Sequence, residues 1–248
     1  MPKKSNWSLG AIRFTYFDVS PAAAPDDGLF ERFFGVPPEE EVSRKAEFST
    51  RRMARGDGVV YQMINVGPKV DFLLDAEADE TQEPSIGGLL IPDEEETRRL
   101  FLKSVDQVVL EMEEGAVSRL AVGERYLIPA SSHEDGYRIL GGYLKGVDLS
   151  MPARDFQYRI NRPREIVVQE EKLTVNRLSS WSCLALQKMV VGAGFQSGSS
   201  PAIAALVTTD VSTDIGLNLA QLPHRVSVDA LPKLFTISQE ITEKGDVK

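Results

Sequence analysis

GAIRFTYFD (residues 10–18) and AVSRLAVGERYLIP (residues 116–129) are the two stretches on which the fold turns. In the first, Ile12, Phe14 and Tyr16 fall on one side and Arg13, Thr15 and Phe17 on the other. That period of two marks a strand with one buried face. The second stretch is strand-like in the same way. Each leads through a polar loop to an Asp-Gly pair, Asp27-Gly28 and Asp135-Gly136. Each pair precedes a short segment rich in aromatic and aliphatic residues, LFERFF or YRILGGYLK, and then a Gly-Val pair. More strand-like segments follow, and each unit closes on an amphipathic helix, at about 94–113 and again at about 229–243.

The resulting expectation is an α+β fold with a large antiparallel or mixed sheet of eight to ten strands and helices on one face. If the repeated order of elements reflects a duplication, a pseudo-twofold axis relates residues 10–114 to 116–243. The 248 residues then form a single domain or two intimate halves, ample for a core without covalent staples.

Between the outer elements the punctuation is clear. Pro21 and Pro25 break the chain, Asp27 is the expected cap of the LFERFF helix, and Gly35 with Pro37-Pro38 stops it. Gly56-Asp57-Gly58 and Gly67-Pro68 are turns that split residues 46–75 into an antiparallel set. The 94–113 helix should bury a stripe of Leu100, Phe101, Val105, Val108, Val109 and Met112, with Gly115 ending it. Its acidic start complements the helix dipole. Glu94–Arg98 and Glu95–Arg99 have the spacing of i,i+4 ion pairs. IVVQEEKLTVNRL reads as a hairpin turning at Glu170-Glu171-Lys172. In the last helix Asp229 is the expected cap and Pro232 falls in the first turn, where a missing N–H is tolerated.

Composition sets limits on function. The net charge of −9 is uneven, with 13 Lys and Arg against 23 Asp and Glu in residues 1–114, but 15 against 14 in 115–248. An acidic first half argues against broad phosphate-backbone binding. A single cysteine, Cys183, allows no internal disulfide and fits a reducing compartment. Residues 1–10 carry lysines but no apolar run of a secretory signal, and no stretch reaches a membrane-spanning length. A cytoplasmic protein is the expectation.

Catalytic and cofactor motifs are missing. The loop GAGFQSGSS (192–200) lacks the lysine of a P-loop and precedes a strand-like run rather than a helix. His133 and His224 are isolated, each in a stretch that reads as loop, and Ser131 and Ser132 are too close to His133 for a triad. Cys183 and Trp181 share one strand face, where an inert buried thiol is expected. Asp210 and Asp214 with Asp71 or Asp75 would be the residues to hold a cation, but two positions four apart on one strand are ~13 Å apart. No metal and no cofactor is assigned.

The segment ARDFQYRINRPRE is the one conspicuous cluster. Arg154, Arg159, Arg162 and Arg164 are interleaved with Phe156 and Tyr158. Guanidinium groups beside aromatics suit an acidic protein surface or a phosphate, whereas charge on an edge strand also blocks unwanted pairing. The strip is the candidate partner-binding site, the partner being another protein or a second copy of this chain. A small-ligand or nucleotide site, or an enzyme pocket, between the two halves is the alternative, and a nucleic-acid binder is the third reading.

RRLFLKSVDQVVLEMEEGAVSRLAVGERYLIP, followed near the end by TTDVSTD before a terminal amphipathic helix, resembles a sporadically distributed family of uncharacterised bacterial proteins of similar length. The family pattern places Asn where Leu127 stands here. The resemblance implies a bacterial cytosolic context and this fold, with an accessory role in a defence-type or mobile gene system. It carries over no catalytic residue.

Overall fold

The computed structural model describes residues 6–18, 28–78, 85–112, 117–149, 155–187, 201–214 and 221–245. Ten strands and four α-helices run in the order β1 (Ser8–Asp18), α1 (Leu29–Phe34), β2 (Glu40–Arg44), β3 (Ser49–Gly56), β4 (Val59–Val66), β5 (Lys69–Ala76), α2 (Glu94–Glu111), β6 (Val117–Ala130), α3 (His133–Gly141), β7 (Gln157–Asn161), β8 (Arg164–Val168), β9 (Glu171–Leu186), β10 (Ala202–Thr213) and α4 (His224–Lys244). All strands join one antiparallel sheet, ordered β2-β3-β4-β5-β1-β6-β10-β9-β7, with β8 also paired to β9. The expected α+β class and the large antiparallel sheet are present.

β1 and β6, the two stretches that open the chain's two halves, lie side by side at the centre. Alternation does the rest. Ile12, Phe14 and Tyr16 in β1, Phe72 and Leu74 in β5, and Leu120 and Val122 in β6 are buried under the helices. Phe33 of α1 stacks on Phe72 at 3.9 Å between ring centroids and meets Phe101 of α2 edge-on at 5.3 Å. On the other side of β6, Trp181 of β9 is fully buried against Trp7 and Tyr143. Among the described residues the opposite face carries no α-helix, only the short 3-10 turn Gly87–Leu89 at one end. There Ile86 and Leu89 fold over it, packing with Leu127, Ala204 and Leu206 in a small second cluster.

Several boundaries differ from the sequence expectation. α4 begins at His224 rather than Asp229, and Val226 and Ser227, ahead of the expected start, are already buried. Pro232 therefore lies in the third turn, and Asp229 accepts a hydrogen bond from Gln169 instead of capping. His224 is in the first turn of this helix, and its Nε2 donates to the carbonyl of Val109, 3.0 Å away, tying α4 to the end of α2. His133 likewise opens α3 rather than lying in a loop, with Ser132 as the cap, accepting from the Asp135 N–H at 3.2 Å. Gly28 occupies the N-cap position of α1 without a side-chain bond, and Asp27 lies outside the described residues, as does Gly115.

In α2 the apolar stripe is narrower than expected. Phe101, Val105, Val108 and Val109 are buried, but Leu100 is 48% exposed. The expected i,i+4 pairs are replaced as well. Arg99 is held by Glu96, three residues away at 2.6 Å, and Arg98 turns inward to the sheet. Glu94 accepts from the N–H of Leu9 at 3.0 Å, which fixes the start of β1 to the start of this helix.

Candidate functional site

The outer, helix-free face of the central strands is built from the odd residues of β1, β5, β6 and β7 and the even residues of β9 and β10. Cross-strand register arranges them in rows. One row runs Leu73–Arg13–Gly123–Asp210–Leu178, and the next runs Asp75–Ala11–Arg125–Thr208–Ser180–Arg159. These two rows line an open cleft of about 500 Å³ that crosses the β1–β6 junction.

Two arginines bridge this face in opposite directions. Arg13 leaves β1, crosses β6 over Gly123, and donates to Asp210 of β10 at 2.8 Å. Arg125 leaves β6, crosses β1, and donates to Asp75 of β5 at 2.5 Å and to the Gly10 carbonyl at 3.2 Å. The residue directly opposite each arginine is small, Gly123 for Arg13 and Ala11 for Arg125. A Cβ on Gly123 would stand 3.2 Å from Arg13 Nη2 and 3.2 Å from the Thr209 carbonyl. Absence of a side chain at 123 is what lets the guanidinium lie flat across the strand.

Three of the four acidic candidates for a cation, Asp210, Asp75 and Asp71, have other partners. Asp210 and Asp75 are engaged by arginines, and Asp71 accepts from Thr15 at 2.5 Å and pairs with Lys69 at 2.6 Å. Among the described residues no three His, Cys, Asp or Glu side chains gather in a way that could hold a metal.

The arginine strip divides between the two faces of the sheet. Arg159 projects into the cleft, opposite Ser180, with Gln157 beside it. Among the described residues its guanidinium has no side-chain partner. Tyr158, opposite Trp181, and Phe156 turn the other way and pack on the core, Phe156 edge-on to Tyr137 at 6.0 Å. Arg164 pairs at 2.9 Å with Glu240 of α4, on the helix side. The backbone N–H of Arg162 donates to the Arg177 carbonyl at 3.1 Å, at the strand end. Arg154 and the 192–200 loop lie outside the described residues. Alternation along β7 separates residues that are adjacent in sequence, so the strip is not one surface.

Beneath the same strands, on the helix side, lies a buried polar network that sequence reading missed. Glu124 of β6 is fully buried; Arg98 Nη2 stands 2.6 Å from its Oε1, an ion pair out of line for a hydrogen bond. Ser238 of α4 donates to Glu124 Oε2 at 2.5 Å and meets Thr209 at 2.6 Å. Arg98 Nη1 donates to the Tyr126 hydroxyl at 2.6 Å. Burial pushes the Glu124 carboxyl above its ordinary range, against the opposing pull of Arg98 and the hydroxyls. The network joins α2, β6, β10 and α4, and so ties the mid-chain helix to the last helix beneath the sheet. Its signal in the sequence was Glu124 itself, a charged residue at an even position of β6 among Leu120, Val122 and Tyr126.

Cys183 is half-buried on the helix side, where burial raises its thiol pKa. Its Sγ lies against Gly136 of α3, where an added Cβ would come within 2.6 Å. This is packing chemistry, not that of an activated thiolate. Among the described residues no helix is long and apolar enough to cross a membrane. Comparison of the chain with protein-family models, with curated proteins and with solved structures finds no match.

Proposed function

We propose that this chain is a non-catalytic recognition protein that grips a protein partner on the helix-free face of its sheet. The observation that carries this reading is the cleft across the β1–β6 junction, with the guanidinium of Arg159, which has no side-chain partner among the described residues, on its wall. Both carboxylates in the cleft are engaged by arginines, which suits a rigid, charged docking surface better than proton transfer. An accessory role in a bacterial defence-type or mobile gene system, within the cytoplasm, rests on the family resemblance of 116–129 and TTDVSTD.

A duplicated origin belongs to the same proposal. Its support is the identical order of elements in the halves, strand–helix–four strands–helix, and the central antiparallel pairing of the two opening strands. The reciprocal bridges Arg13–Asp210 and Arg125–Asp75 fit a local twofold axis between β1 and β6. On this reading the cleft lies on that axis, where the halves meet.

The test is affinity capture from the native host, comparing wild type with Arg159→Glu and with Arg164→Glu. Loss of a stoichiometric partner in Arg159→Glu alone supports the helix-free face. Retention of that partner by Arg159→Glu sinks it. The size of the cleft favours a second reading, a small ligand held between the halves, and about 500 Å³ is within the ~300–1,000 Å³ range of such sites. Stabilisation by an added nucleotide or metabolite, following RT ln(1 + [L]/Kd), would favour it.

A further inference from the structure

The lining of the cleft says what kind of group it takes. Its charged side chains are Arg13, Arg125 and Arg159 against Asp75 and Asp210. The side chain of Glu124 faces the other way, into the buried network. Two arginines are matched by two carboxylates, which leaves one positive charge, on Arg159. Around it stand groups able to donate, the hydroxyls of Ser180 and Thr208 and the amide of Gln157. Among the described residues none of the three has a side-chain hydrogen-bond partner. Leu73, Leu178 and Ala11 supply an apolar floor and walls.

Resting on the recognition reading above, we infer that the cleft seats a single carboxylate side chain of an extended partner segment, its apolar neighbours lying on Leu73 and Leu178. The guanidinium of Arg159 meets the carboxylate as a charge-assisted pair. Ser180 lies directly opposite Arg159 in register, and Thr208 opposite Ser180, so both hydroxyls follow along the same row. From Arg159 to Arg125 that row spans three strand spacings, ~14 Å, enough for a short peptide lying across the strands.

One uncompensated positive charge also discriminates. A singly charged carboxylate is matched, whereas a doubly charged phosphate brings excess negative charge close to Asp75 and Asp210. The cleft therefore prefers a Glu- or Asp-bearing segment flanked by apolar residues over a phosphate or a nucleic-acid backbone.

The experiment is calorimetric titration of the full chain with the capped tripeptide Leu-Glu-Leu, with its Leu-Gln-Leu counterpart, and with inorganic phosphate as competitor. Wild type, Arg159→Gln, Arg159→Lys and Arg164→Gln are compared, with unchanged melting showing that each is folded. The Glu peptide should bind saturably, and the Gln peptide about tenfold or more weakly, the weight of a hydrogen-bonded charge. Arg159→Gln should lose the same factor, Arg159→Lys should recover part of it, and Arg164→Gln should be unchanged. Phosphate at ~10 mM should not displace the Glu peptide, since competition there would signify a millimolar anion site. Equal binding of the two peptides, indifference to Arg159→Gln, displacement by phosphate, or no binding at millimolar peptide would each overturn the inference. Partner capture that still depends on Arg159 would then keep the recognition reading without this seat; if capture is also indifferent to Arg159, both fall.

Discussion

Arg98 of α2 and Glu124 of β6 stand 2.6 Å apart beneath the sheet, the carboxylate side chain wholly withdrawn from solvent. Removing one member of such a pair leaves an uncompensated buried charge, at a cost of about 3–5 kcal/mol. Glu124→Leu and Arg98→Met should each lower stability by about that amount, yet the double variant should lose far less than the sum. Urea unfolding of the four proteins checks this. Additive losses would mean that the two charges do not depend on one another.

The direction of the Glu124 shift sets its pH dependence. Its folded pKa lies above the unfolded one, so its contribution is full below the ordinary carboxylate range and is lost as pH rises through the folded value. The loss caused by Glu124→Gln should therefore be greatest in acid and shrink as pH rises through the folded value. Unfolding curves of both proteins across that window measure it, and a loss that grows with pH would contradict the assignment.

At the alkaline end Tyr16 takes over. Burial, aided by Asp18, pushes its phenol up to about 12, against ~10 for a free tyrosine. A raised folded pKa stabilises the native state below the unfolded value and ceases to do so as pH climbs from ~10 to about 12. The wild type should lose up to ~2–3 kcal/mol over that interval on this account, and Tyr16→Phe correspondingly less. Parallel decline of the two proteins would remove Tyr16 as the cause.

On the outer face, Gly123→Val should disrupt the bridge from Arg13 to Asp210, because even a Cβ would stand 3.2 Å from the guanidinium and 3.2 Å from a backbone carbonyl. Crowding of this kind costs about 1–3 kcal/mol. Combined with Arg13→Gln, the loss should be less than additive, since the obstructing group is gone. Thermal melts of the single and double variants decide, and full additivity would show that Arg13 does not lie over Gly123.

How much of this was legible in advance depends on whether the signal was local. Alternation in β1 and β5 and the turn at Asp57-Gly58, with φ of 55° and 75°, are properties of neighbouring residues and could be read directly. That β1 and β6 pair, and that Arg13 then finds Asp210 two strands away, are properties of register, which no window of sequence contains. The same limit misled the reading of α2. Helical spacing places Leu100 beside the stripe, but among the described residues it is left about half exposed. Leu100→Asp should thus change stability by no more than ~0.5 kcal/mol, whereas Val108→Asp, which buries a charge, should be severely destabilising. Register likewise decides where the residues of the arginine strip go, because β7 presents Tyr158 and Arg159 to opposite faces.

The turn between β8 and β9 gives the last prediction. Gln169 and Glu170 both have positive φ, 48° and 69°, the geometry of a two-residue hairpin turn. Neither residue favours it, which is why the turn was expected one residue later, around Glu170-Glu171-Lys172. Gln169 has a compensating role, since its amide donates to Asp229 of α4 and fastens the turn to that helix. Among the described residues Glu170 has none of comparable kind, and its side chain is exposed. Glycine enters this region of backbone space at little cost, whereas a residue with a Cβ is penalised by about 1 kcal/mol. Glu170→Gly should then raise stability by up to ~1 kcal/mol, less whatever backbone freedom the glycine adds to the unfolded chain. Gln169→Gly should gain less or lose, because the bond to Asp229 goes with the side chain. Equal effects of the two substitutions on the melting temperature would show that backbone strain alone governs this turn and that the link to α4 carries no weight.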